Sequence, residues 1–115
     1  MPARHEPIYA GRKEVVRLFA RVSIFKGEPG NAEGPLKVVR EKILPAAREL
    51  EGFAGMLALA DPSTGKSMGI TFWQTEEALK ASEQAADRMR NESAGETGDQ
   101  VAGVERYEVM LDERG

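Results

Sequence analysis

A short connector near the middle of the chain narrows the choice of fold sharply. Asp61-Pro62-Ser63-Thr64-Gly65-Lys66 is rich in turn formers and separates two runs of strand-forming residues, 53–60 and 67–73. Parallel neighbours need a crossover of about a dozen residues or more, so these two runs must pair as an antiparallel hairpin. A helical pattern flanks the hairpin on each side, and one further strand pattern lies beyond each helix.

The first strand pattern covers residues 14–25. Val16, Leu18, Ala20, Val22 and Ile24 are apolar, whereas Arg17, Phe19, Arg21, Ser23 and Phe25 mix charge with aromatic rings. A period of two sends the two sets to opposite faces. The uniform set is expected to face the core. The mixed set, with Phe19 and Phe25, is expected on a bare face that suits a partner or a cavity. Gly27-Glu28-Pro29-Gly30-Asn31 reads as a loop. A helix follows from about Pro35, with an apolar stripe of Leu36, Val39, Ile43, Ala46, Ala47 and Leu50. Pro45 should kink or split it, and Gly52 stands where a left-handed cap would end it.

Residues 53–60 are apolar on both faces, which predicts a central strand. After the hairpin, Thr75 is placed to cap a second helix, with Glu76 and Glu77 against its dipole. Its inner stripe, Ala78, Leu79, Ser82, Ala85, Ala86 and Met89, is mostly alanine. Such a helix either sits close to the sheet or leaves a gap beside it. Residues 91–100 read as a polar loop or frayed helix end and 101–111 as the last strand.

The order is β-α-β-β-α-β. Right-handed crossovers then predict an α+β, ferredoxin-like domain: a four-stranded antiparallel sheet with both helices on one face. Residues 1–13 are expected to form an N-terminal arm and 14–115 a single domain. The uncovered sheet face would be an apolar patch large enough to invite a partner, and pairing with a second copy is the simplest cover. A homodimer is therefore expected.

Bulk properties exclude several functions. The chain has 115 residues, 41% hydrophobic and 30% charged, enough for one core that buries roughly 65% of the unfolded surface. Net charge is −3 with no basic stripe, so nucleic acid is not an expected partner. There is no cysteine, which removes disulfides, thiolate nucleophiles and cysteine metal sites, and fits a reducing cytoplasm. No apolar stretch follows the first residues, so no secretory signal is expected. The longest uncharged runs, such as 52–60, fall short of the ~20 residues of a membrane helix.

Four residues stand out as candidates to line a ligand pocket, and none identifies a catalytic group. Trp73, the sole tryptophan, could stack on a flat ligand and donate its indole N–H, or could simply close the core. Arg17 and Arg21, on one strand face, could bind a carboxylate or phenolate, or else form a dimer salt bridge with Glu105 of a facing strand or lie at a solvated edge. Tyr107 could donate a proton to a phenolic substrate, or pack its ring with the hydroxyl towards water or backbone. His5 is the only histidine, so no metal or bound cofactor is expected. Gly65-Lys66-Ser67 lacks the glycine five residues earlier that a phosphate-binding loop needs, since Ala60 stands there.

Glu51-Gly52-Phe53-Ala54-Gly55, followed by Phe72-Trp73-Gln74-Thr75-Glu76-Glu77-Ala78-Leu79 and closed by Val104-Glu105-Arg106-Tyr107-Glu108-Val109, resembles the dimeric α+β barrel superfamily. The closest flavour is that of antibiotic biosynthesis monooxygenase-like proteins. The likeness spans roughly residues 14–112. It implies a homodimer and an oxygenase acting on a small aromatic substrate without a bound cofactor. A heme-degrading relative would carry an asparagine on the first strand and a histidine on the second helix, and this chain has neither. Quinone-forming monooxygenases carry an asparagine before the tryptophan and a tyrosine in the next helix, where this chain has Gly69 and Leu79. Only Trp73 carries over. The alternative is a non-enzymatic module that binds a small ligand or serves as a structural dimer.

Overall fold

The structure, a computed structural model, describes residues 17–114. The expected arm, with His5, and the first residues of the first strand pattern lie outside the described residues. The elements run β1 (Phe19–Lys26), α1 (Glu33–Val38), a π turn (Val39–Ile43), α2 (Leu44–Arg48), β2 (Phe53–Asp61), β3 (Lys66–Trp73), α3 (Glu76–Ala81), α4 (Glu83–Thr97) and β4 (Gln100–Glu108). The strands form one antiparallel sheet in the order β2-β3-β1-β4, with the helices on one face. This is the expected ferredoxin-like arrangement.

Local chemistry accounts for the joints. Asp61 holds the hairpin turn: its Oδ1 accepts hydrogen bonds from the Ser63 N–H at 3.0 Å and the Ser63 hydroxyl at 2.7 Å. These bonds hold the Asp61 carboxyl below its ordinary pKa. Thr75 caps α3, its Oγ1 accepting from the Ala78 N–H at 2.9 Å. Gly52 takes φ +80°, and a Cβ there would strike the Ala78 Cβ, so only glycine lets the end of the first helix sit against α3. Pro45 lacks an N–H and crowds the carbonyl four residues back. The helix meets this by widening: the Leu44 N–H reaches back to the Val39 carbonyl, and the π turn carries the chain into Pro45.

The packed core occupies one end of the layer. Trp73, Ala78 and Leu79 are buried there, with Phe19, Leu50 and Phe53 against them. Phe53 meets Trp73 edge-on, with centroids 5.7 Å apart. Burying one aromatic side chain of this kind contributes roughly 4–6 kcal/mol as an upper limit.

Four expectations are corrected. The mixed side of β1 is the helix-covered side: Arg21 reaches Leu79 and Ser82, and Phe19 joins the core. The uniformly apolar side, Val22 and Ile24 with their partners Ile70 and Met68, faces the bare side. A cleft that needs polar groups inverts the usual pattern, because its lining must be mixed. β2 is an edge strand, not a central one. Its second apolar face, with Leu57 and Leu59 exposed, belongs to the bare side. Residues 91–97 are helical and extend α4 to Thr97, where Gly98 at φ +80° ends it. Their polar side chains follow from a solvated face that is tied to the first helix by a 2.6 Å Lys42–Glu96 ion pair. Finally, β4 stops at Glu108, and a bulge puts Val101 opposite Phe25 and Gly103 opposite Ile24, so the strict alternation of 101–111 fails at Ala102.

Beyond β4, the Val109 N–H bonds the Leu18 carbonyl at 2.9 Å, and Arg114 lies over the Phe72 ring at 5.5 Å. This tail covers the corner of the bare face beside Ala20, which pairs with Phe72. Among the described residues no helix is long and apolar enough to cross a membrane.

Candidate functional site

Small residues create the site. Across the helix-facing side of the sheet, Ser23, Gly69 and Ala58 stand in register, and Phe25, Ser67 and Ala60 form the next row. The middle of the floor therefore rises little above the backbone. On the opposite wall Leu36, Val39, Ile43 and Ala47 come from the first helix, and Ala86, Met89, Arg90 and Ser93 from α4. The result is a cleft of about 210 Å³ between sheet and helices. An apolar cavity of about 150 Å³ takes up benzene, so one or two rings would suit this space.

Trp73 stands where core and cleft meet. It is 1% exposed, packs on Phe53 and Leu79, and also lines the cleft. Its indole N–H donates to Thr71 Oγ1 at 3.0 Å, so that donor is already used. Thr71 accepts this bond and keeps its own hydroxyl proton to give. Arg21 lies beside Trp73, its guanidinium carbon 5.5 Å from the ring centroid. Arg21 is only 2% exposed. Its Nη2 donates to the Leu79 carbonyl at 2.7 Å and Ser82 Oγ at 2.9 Å, and lies 3.0 Å from Glu83 Oε2. Its Nε–H has no acceptor among the described residues. Burial lowers the Arg21 pKa, against the pull of Glu83.

Glu83 is shared. Arg106 grips it with two 2.7 Å hydrogen bonds. These bonds and Arg21 together push the Glu83 carboxyl down to about 2, against desolvation. A second cation, Arg90, is 8% exposed and lines the same cleft. It meets Ser23 Oγ at 3.5 Å and Asp87 Oδ1 at 3.3 Å.

Of the four candidate residues, Trp73 and Arg21 come together at the cleft, and Arg17 and Tyr107 lie away from it. Arg17 precedes β1, is exposed, and pairs with Glu108 at 2.6 Å rather than with Glu105. Tyr107 is on the bare side of β4, 54% exposed, its hydroxyl donating to Glu105 at 2.8 Å. That bond raises the phenol pKa above its ordinary value. Sequence reasoning did not single out Arg90, Thr71 or Glu83. Arg90 had a visible signal, for it stands four residues beyond Ala86 on the inner stripe of its helix.

No family model matches the sequence. Two curated relatives from Mycobacterium tuberculosis strain H37Rv are uncharacterized proteins. Rv2558 is 29% identical over 84 residues, covering 73% of this chain and 35% of the relative. Rv2557 is 27% identical over 97 residues, covering 84% and 43%. The chain thus spans less than half the length of the curated relatives it matches. Among solved structures, a monooxygenase from Streptomyces coelicolor in complex with nanaomycin D superposes with a TM-score of 0.59 at 15% identity, covering 84% of this chain and 88% of the other. A cofactor-independent oxygenase from Streptomyces nogalater gives 0.57 at 11% identity, covering 84% and 95%. A heme-degrading protein from Mycobacterium tuberculosis gives 0.56 at 19% identity, covering 87% and 99%. At these identities the likeness is one of fold. The chain has the α+β fold of the antibiotic biosynthesis monooxygenases.

Proposed function

We propose that the chain holds a small, electron-rich aromatic substrate in the cleft beside Trp73 for reaction with dioxygen, and works as a homodimer joined through the bare sheet face. The observation that carries this reading is a small, largely apolar cleft with an aromatic ring and a buried cation together at one end. A phenol bound next to Arg21 is favoured as its phenolate, which gives up electrons more readily than the neutral form. In the simplest balanced outcome the ring exchanges two hydrogens for one oxygen atom of O₂. The second oxygen leaves with those hydrogens as water, and the product is a quinone. The protein supplies position and local polarity. The fold it shares with oxygenases supports the reading by analogy. Oxygen uptake with a panel of hydroquinones and naphthols is expected to exceed the buffer rate. A panel with no excess uptake overturns the oxygenase reading.

A second reading is a non-enzymatic ligand-binding dimer. It is favoured by the polar groups nearest Trp73, which are arginine, serine and threonine, with no histidine among the described residues that line the cleft. Ligand binding without oxygen uptake would select it. For the dimer, exposed Leu57 and Leu59 beside Val22, Ile24 and Ile70 supply the apolar area. Light scattering should give twice 12.6 kDa, and a strict monomer refutes the pairing.

A further inference from the structure

The charges lining the cleft are segregated, with two arginines towards its Trp73 end and Glu28, Asp61, Lys66 and Asp99 towards its hairpin end. Arg21 and Arg90 both line it, and both are more than nine-tenths buried. Arg21 shares its carboxylate, Glu83, with Arg106, which takes the two shorter contacts. Asp87, the partner of Arg90, is largely exposed and 3.3 Å away. Each arginine thus stands against half a carboxylate or a solvated one. The charge on Arg90 is felt at Arg21, where it opposes protonation.

One buried donor among the described residues also lacks an acceptor. The Arg21 Nε–H is wholly buried and has no acceptor among the described residues, and a buried donor of a charged group is costly to leave unmade. Arg21 stands directly across from Thr71, whose hydroxyl proton is uncommitted, and Ser23 follows on the same face of β1. A planar, doubly accepting anion matches the chemistry of these donors, an Nε–H, hydroxyls and a second guanidinium.

From this geometry we infer that the ligand is an aromatic carboxylic acid of one or two rings, its carboxylate bound between Arg21 and Arg90 with Thr71 and Ser23, and its rings lying along Met56, Val39 and Ile43. This deepens the small-aromatic reading above and rests on it. The substrate then needs an acidic group in addition to any oxidisable ring position. A simple phenolate would answer one of the two cations, and a hydrocarbon neither.

Isothermal titration of the full chain with 2-naphthoate and with its methyl ester separates the two claims. The expected result is that naphthoate binds about tenfold or more tighter than the ester, the margin of hydrogen bonds to a charged group. Arg90→Gln is expected to remove most of that preference, and Arg90→Lys to restore part of it. Near-ultraviolet circular dichroism checks that each variant is folded. Equal binding of acid and ester overturns the carboxylate site and leaves the aromatic cleft standing. An undiminished preference in a folded Arg90→Gln variant overturns the two-arginine site. Failure of both probes to bind overturns the site and the cleft reading together.

Discussion

Glu83→Gln tests the electrostatic centre of the site directly. The substitution keeps the shape of the side chain and removes the carboxylate that Arg21 and Arg106 share. The depression of Glu83 from 4.5 to about 2 corresponds to about 3 kcal/mol of stability at neutral pH. Its side chain is less than one-third exposed, so water screens only part of this. Arg106, nearly half exposed, accounts for at most about 1 kcal/mol of direct pairing. The larger share of the loss comes from Arg21, left charged and buried with no carboxylate. The sign with pH follows from the depression. The contribution is fully present above the unfolded carboxyl pKa and is lost as pH falls from about 5 towards about 2. Wild-type stability should drop across that window, and the variant should lack this component. Urea unfolding followed by Trp73 fluorescence measures both. The variant is expected to be less stable at pH 7 by up to about 3 kcal/mol, with the difference closing near pH 2. A difference under about 1 kcal/mol at pH 7, or one that persists unchanged in acid, refutes the clamp.

Three further outcomes follow from named contacts. Thr75→Ala deletes the Oγ1 acceptor at the start of α3 and should cost about 1 kcal/mol in urea unfolding; no loss would show that the cap is dispensable. Gly52→Ala forces a left-handed alanine into the Ala78 Cβ and should lower stability by more than about 1 kcal/mol, read as a thermal melt; a neutral melt contradicts the close approach. Leu59→Glu places a charge on the bare face, where Leu59 is 50% exposed. It should reduce the scattering mass to that of a monomer without changing the far-ultraviolet spectrum, and an unchanged dimer would place the interface elsewhere.

The order of elements was legible because each joint depends on local chemistry. Thr75 caps its helix wherever that helix packs, and a connector as short as Asp61–Lys66 closes a hairpin whatever covers it. What the sequence left open was which side of β1 the helices cover. A single strand reports two faces and does not label them. Val22 and Ile24 look like core by composition, yet they lie on the bare side because the helix side must also accommodate Arg21 and Ser23. The extension of α4 was hidden for a related reason. Asn91, Ser93 and Gly95 read as breakers, and the tie that holds this stretch, Lys42 to Glu96, joins residues far apart in sequence.

The candidate site was legible only to the extent that rigid side chains define it. Trp73 ends a strand at a fixed place, so its ring falls at the meeting of core and cleft whatever the details of packing. The arginines follow a different rule. Arg17 and Arg21 share a parity in the sequence, but Arg17 lies before the first paired residue of β1 and swings to Glu108. Arg90, on another element altogether, ends up in the same cleft as Arg21. Charged side chains are long, so the strand period sets their starting direction, and the carboxylates within reach set where they end. In this fold Glu108 draws one arginine out to the edge, and Glu83 holds the other beneath α4. The placement of Glu108 and Glu83 therefore decides which of the two arginines reaches the cleft.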